Sequence, residues 1–226
     1  MAEIGEIAFD LIYLIFIWTI VVQMHLKRKN VQKDEWKIAS KMLIGFFLLA
    51  LGDTGHVGFR VVAIGLGGLE QNAVLVGLGA LSTSITIGIL YMIILEVWRI
   101  QFNKPKNALY YGLLTVGIIR YGIFLFPQNE WGSVVAPFEW SLVRNIPLFI
   151  QGIGVAILLL TDARKHEDKT FKNIAYCIFI SYLFYIIVIL LVQKILIIGM
   201  LMIPKTVAYM VMAWIVYRSY FKYTKI

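Results

Sequence analysis

Seven apolar runs, at about 4–26, 38–66, 73–98, 107–126, 139–161, 171–192 and 195–220, occupy most of the 226 residues. Each is close to the roughly 20 residues that a helix needs to cross a hydrocarbon core. The apolar residues run on continuously and do not alternate with period two, which selects helices over a barrel. The expected fold class is all-α: a polytopic membrane protein with one domain of seven transmembrane helices over 1–226. Composition agrees, with 60% of residues apolar and 15% charged, where a soluble domain has roughly 45–50% and about 25%. So much apolar surface also excludes disorder. Cys177 has no second cysteine to pair with, so no internal disulfide framework exists. The first run is too long for a signal peptide and follows acidic Glu3 and Glu6 where a leader would carry basic residues.

The formal net charge of +8 suggests nucleic acid until the charges are placed along the chain. The segment from Lys27 to Lys41, the third loop (Arg99, Lys104, Lys106), the fifth (Arg164, Lys165, Lys169, Lys172) and the tail (Arg218, Lys222, Lys225) carry sixteen basic residues. The loops of the opposite side hold Lys194. Basic residues collect on the cytoplasmic side of membrane proteins, so the amino terminus is expected outside and the carboxy terminus in the cytoplasm. That sorting, with attraction to anionic lipid, accounts for the whole surplus. No nucleic-acid partner is expected, and the location expected is the plasma membrane.

The remaining basic residues, Arg60, Arg120, Arg144 and Lys205, lie inside spans, where ionisable groups are costly and mark function. Counted at about 1.5 Å per residue, they share the outer half of the membrane with Asp10, Asp53, His56, the run Ser82-Thr83-Ser84-Ile85-Thr86, Glu139, Asn145 and Gln151. The cytoplasmic halves are almost free of charge. The expected object is a polar cavity opening outward above a hydrophobic plug. Spacings of three and four put Asp53, His56 and Arg60 on one helix face. Gly52, Gly55 and Gly58 interleave with them and permit close approach of a helix or ligand. Pro147, beside Arg144 and Asn145, frees a backbone carbonyl. Lys205 follows a proline near mid-span, and must be paired with Asp53 or another acid, be neutral, or be used covalently.

Candidate ligand-binding residues are therefore Asp53, His56, Arg60, Arg120, Arg144, Asn145 and Lys205. The cationic balance favours a small anion or an anionic lipid headgroup, bound or transported. A second reading is a metal-independent enzyme acting on lipid headgroups, with Ser82 or Ser84 as nucleophile and His56 and Asp53 as base and orienter. No metal site is expected, since the histidines do not cluster with other ligands. The glycines at 65, 67 and 68 follow no strand and make a turn, and Phe126-Pro127-Gln128-Asn129 makes another.

Gly52-Asp53-Thr54-Gly55-His56 with Arg60, the Ser82–Thr86 run, Pro127-Gln128-Asn129, Arg144-Asn145-Ile146-Pro147 and Met202-Ile203-Pro204-Lys205-Thr206 together resemble a group of uncharacterised bacterial seven-helix membrane proteins. That resemblance covers the second to seventh spans and implies no particular activity. A weaker, topological similarity links the chain to microbial rhodopsins, through seven spans, an outside amino terminus and a mid-span lysine in the last. It implies retinal on Lys205 as a minor alternative, although the third span lacks the Arg–Asp pair and the sixth lacks tryptophan and proline. Otherwise no cofactor is expected. Membrane lipid is the expected partner besides the ligand, and an oligomer is compatible with the sequence.

Overall fold

The apolar runs fold as α1 (Ala2–Leu26), α2 (Trp36–Gly65), α3 (Ala73–Gln101), α4 (Ala108–Phe124), α5 (Phe138–Lys165), α6 (Lys169–Leu191) and α7 (Met202–Val216). The structure, a computed structural model, describes residues 2–222, with no strand among them. Lys225, counted above among the tail cations, lies outside the described residues, as do the side chains of Glu3 and Glu6. The chain is a helical polytopic membrane protein. Among the described residues, six stretches are long and apolar enough to span. The last of them, Leu196–Phe221, runs a 3-10 turn into α7 and ends in the π-turn Tyr217–Phe221. The seventh helix, α4, has 17 residues, about 25 Å of rise and the low end of the spanning range. Exposed Leu125 and Phe126 prolong its apolar surface.

Three helix ends close with one backbone device. Gly67, Asn103 and Glu167 take positive φ values of 113°, 49° and 55°. The next residue then donates its N–H five residues back: Gly68 to Ala63 at 3.0 Å, and Lys104 to Arg99 and Asp168 to Ala163 at 2.8 Å each. This reversal satisfies carbonyls that a helix end leaves orphaned. At the starts of α4 and α6, Asn107 and Asp168 accept the N–H of Tyr110 and Phe171, each at 3.0 Å, as N-caps do.

Each helix packs against the next, α7 packs back on α1, and α3–α5 and α2–α7 contacts cross the interior. The bundle is a closed ring in chain order. At its basic end Lys27 Nζ donates to Tyr217 Oη at 2.7 Å, tying α1 to the π-turn. There the buried carboxylate of Asp162 accepts Trp98 Nε1 at 2.9 Å and Lys104 Nζ at 2.6 Å. Above this network the core is apolar, built on Leu49, Leu90, Ile94, Leu95, Val155 and Leu159.

α2 and α3 form the closest pair. A Cβ on Gly52 would overlap Thr86, and one on Gly55 would meet the Ser82 hydroxyl. From the facing helix, one on Gly79 would meet the His56 carbonyl at 3.0 Å. Gly58, expected on the same approach surface, has nothing within 4 Å.

Candidate functional site

At the end of the bundle opposite the basic loops, the α4–α5 connection folds back over the start of α3. It begins with a 3-10 turn at Pro127–Asn129. Asn129 is fully buried and its Nδ2 ties down the carbonyls of Ile123 at 2.7 Å and Phe126 at 2.9 Å. Trp131 Nε1 donates to the Phe124 carbonyl at 3.0 Å, so both residues hold the connection against the top of α4. A Cβ at Gly77 of α3 would run into the Trp131 carbonyl. Glycine is what lets this connection sit so low.

Beneath it lies a recess of about 80 Å³ lined by Val76, Gly77, Ala80, Asn129, Glu130, Trp131, Ser133, Val134, Ala136 and Arg144. One water needs roughly 10–15 Å³ of such space, so the recess takes a few waters or one small polyatomic anion. Arg144 of α5 forms its inner wall, with its guanidinium over the Trp131 ring at 4.5 Å. Arg144 Nη1 and Asn129 Oδ1 are both buried without a hydrogen-bond partner. A buried donor left unmade costs far more than an average hydrogen bond gains. The acid on the rim, Glu130, is exposed and accepts from Ser133 Oγ at 3.3 Å.

Arg120 of α4 stands directly behind this wall and is 1% exposed. Its Nε donates to the Arg144 carbonyl at 3.0 Å and its Nη1 to the Ser84 carbonyl at 2.6 Å, so one guanidinium joins α3, α4 and α5. It also lies 4.8 Å from the Phe124 ring centre. Neighbouring Tyr121 donates to the Ile85 carbonyl at 2.9 Å, doubling the α3–α4 tie. Around Pro147 the carbonyls of Ser141, Arg144 and Leu148 all accept side chains, from Asn145, Arg120 and Tyr182.

Asn145 continues inward. Its Oδ1 accepts Tyr185 Oη at 2.9 Å, and Lys205 Nζ lies 4.4 Å from the centre of that tyrosine ring. Among the described residues Lys205 makes no ion pair. On α2, Asp53 accepts Tyr13 Oη on one oxygen and Thr83 Oγ1 on the other, both at 2.5 Å. Asp53 therefore meets hydroxyls where the sequence offered Lys205 as its mate. Deeper still, Tyr91 and Tyr209 share a hydrogen bond of 2.8 Å.

The structure thus joins Arg120, Arg144 and Asn145 around one point, with Lys205 linked through Tyr185. Asp53 joins α1, α2 and α3 through its hydroxyl partners Tyr13 and Thr83. His56 and Arg60 are half-buried on α2, each engaged with a partner, and neither lines the recess. Ser82 packs toward Gly55 and the Ser84 carbonyl is taken by Arg120; the hydroxyl bound to Asp53 is that of Thr83. No three side chains of metal-binding type cluster among the described residues. Sequence reasoning missed Tyr13, Trp131 and Tyr185, since aromatic residues in or near spans count as apolar surface. No family model, curated protein or solved structure matches the chain.

Proposed function

We propose that this membrane protein binds a small oxyanion, free or as the phosphate of a lipid headgroup, in the recess walled by Arg144. The observation that carries this reading is a recess of anion size lined by Arg144, whose guanidinium leaves its buried Nη1 without a hydrogen-bond partner. A guanidinium fork suits oxyanion oxygens, and charge-assisted bonds of this kind are about twice as strong as neutral ones. Arg120 adds a second positive charge behind the first without being neutralised, since its bonds go to carbonyls. Trp131 holds the Arg144 plane from the far side. The loop charges assign this end to the outside, so the anion arrives from the external medium or the outer leaflet.

Arg144→Gln is the discriminating variant, because the bundle uses the main-chain carbonyl of Arg144 and leaves its side chain to the recess. Detergent-purified protein is titrated with sulfate, inorganic phosphate and short-chain phosphatidylglycerol while its thermal midpoint is followed. The wild type is expected to be stabilised by at least one of these. Arg144→Gln is expected to fold and to lose about tenfold or more in affinity, the effect of one charged hydrogen bond. Stabilisation of equal size in wild type and variant would defeat the reading. Sulfate or phosphate acting alone would identify a free anion, and phosphatidylglycerol alone a headgroup.

A further inference from the structure

A second recess opens at the other, basic end of the bundle, between the start of α6 and the end of α7. It has about 250 Å³ of space and is lined by Lys169, Thr170, Asn173, Trp214, Ile215, Arg218 and Ser219. Its lining combines two cations, two hydroxyls, an amide and an indole. The hydroxyls of Thr170 and Ser219 lie 3.2 Å apart and tie α6 to the π-turn. Lys222 Nζ lies 5.8 Å from the Trp214 ring centre, which brings a third cation to the edge.

The backbone explains why these groups converge. Tyr217–Phe221 is a π-turn, whose hydrogen bonds span five residues in place of the α-helix's four, and Arg218 and Ser219 lie on it. Such turns are rare and concentrate at functional sites. Asp168, just before Lys169, caps α6 at Phe171 N–H with one oxygen and accepts Gln101 Nε2 at 2.8 Å with the other. No ion pair joins it to Lys169 or Arg218 among the described residues. Trp214 marks the level, because tryptophan concentrates where hydrocarbon meets headgroup. Cationic pockets between spans at the cytoplasmic face hold anionic lipid headgroups.

We infer that this recess is a second, separate phosphate site. Lys169 and Arg218 grip the charged oxygens and Asn173, Thr170 and Ser219 supply neutral hydrogen bonds, while Trp214 and Ile215 take the apolar edge of the bound group. The chemistry is that of a phosphate ester, carried by an anionic lipid of the inner leaflet or by a soluble phosphate. It is independent of Arg144, which lies at the opposite end.

Full-length protein in detergent is titrated with short-chain phosphatidylglycerol, with short-chain phosphatidylcholine and with inorganic phosphate, and adducts are counted by native mass spectrometry. Every protein used carries Arg144→Gln, so that the outer recess does not contribute. The double variant Lys169→Gln/Arg218→Gln is compared with Lys33→Gln/Lys37→Gln. The second pair removes the same charge from the same end, and all four residues are exposed, so folding is not at issue. The expected result is a phosphatidylglycerol adduct weakened tenfold or more by the first pair and less than twofold by the second, with phosphatidylcholine bound weakly. A phosphate adduct lost in the same variant, without a lipid adduct, assigns the site to a soluble phosphate. Equal weakening by both pairs would reduce the effect to diffuse attraction and overturn the proposal. So would an adduct untouched by Lys169→Gln/Arg218→Gln, or no adduct with either anionic probe.

Discussion

Arg120 holds Arg144 by its main chain: the Nε of one arginine donates to the carbonyl of the other at 3.0 Å. Two residues of the same chemistry, side by side, thus carry different duties. The Arg120 fork bonds two carbonyls on two helices at once, and an ammonium lacks that geometry. Arg120→Lys is therefore expected to destabilise the bundle by about 2 kcal/mol or more, the penalty of carbonyls left unmade in a dry interior. Reversible unfolding in mixed micelles reads this directly. Arg144→Lys should destabilise less than Arg120→Lys, because the carbonyl that Arg120 bonds belongs to the main chain and survives the substitution.

Asp53 offers a second measurement. Both its oxygens are capped, by Tyr13 and by Thr83. Tyr13→Phe and Thr83→Val each remove one hydroxyl and keep the shape. Each should cost about 1–3 kcal/mol, and the two losses should not add, since they bear on one carboxylate. A double-mutant cycle on unfolding free energies checks it.

Glycines on α2 separate packing from propensity. Gly52→Ala drives a methyl into Thr86, whereas Gly58→Ala meets open space. The first should destabilise by about 1–3 kcal/mol through overpacking. The second should be neutral or stabilising by up to about 1 kcal/mol, because alanine prefers the helix. Thermal midpoints of the two variants, measured side by side, should move in opposite directions or differ clearly in size.

Gln151 gives the reverse expectation to the usual core substitution. It is fully buried on α5, and neither polar atom of its amide has a partner. A Cβ at Gly117 would overlap that amide, so α4 presses closely on it. Gln151→Met keeps the volume and removes two unsatisfied groups. The variant should gain about 1 kcal/mol of stability, the desolvation cost recovered, seen as a raised unfolding midpoint in detergent.

The spans, most of their ends and the two turns were legible because each has a local cause. Continuous apolar runs make the helices, and Pro127 and Gly67-Gly68 turn the chain. Charge sorting separated the two ends for the same reason. The lateral arrangement was not legible. Sequence position fixes the depth of Asp53 and Lys205 but not their bearing around the ring, and Asp53 turns to Tyr13 and Thr83 on its own side. Gly58 shares a helix face with Gly52 and Gly55, yet no neighbouring chain reaches it. The tyrosines were hidden for a different reason: hydropathy counts the ring, whereas the hydroxyl matters only once a partner such as Asn145 stands opposite.

The closed ring has a consequence for biogenesis. Tyr13 and Asp53 are 40 residues apart, so α1 and α2 can lock together soon after both have left the ribosome. Lys27 and Tyr217 are separated by 190 residues. Until α7 emerges, the face of α1 that will receive it stands open to lipid or to whatever insertion machinery shields it. The bundle is a cylinder whose seam is sealed last. Stalled synthesis after α6 leaves an unclosed sheet of helices, the state most exposed to mispairing and to membrane proteases.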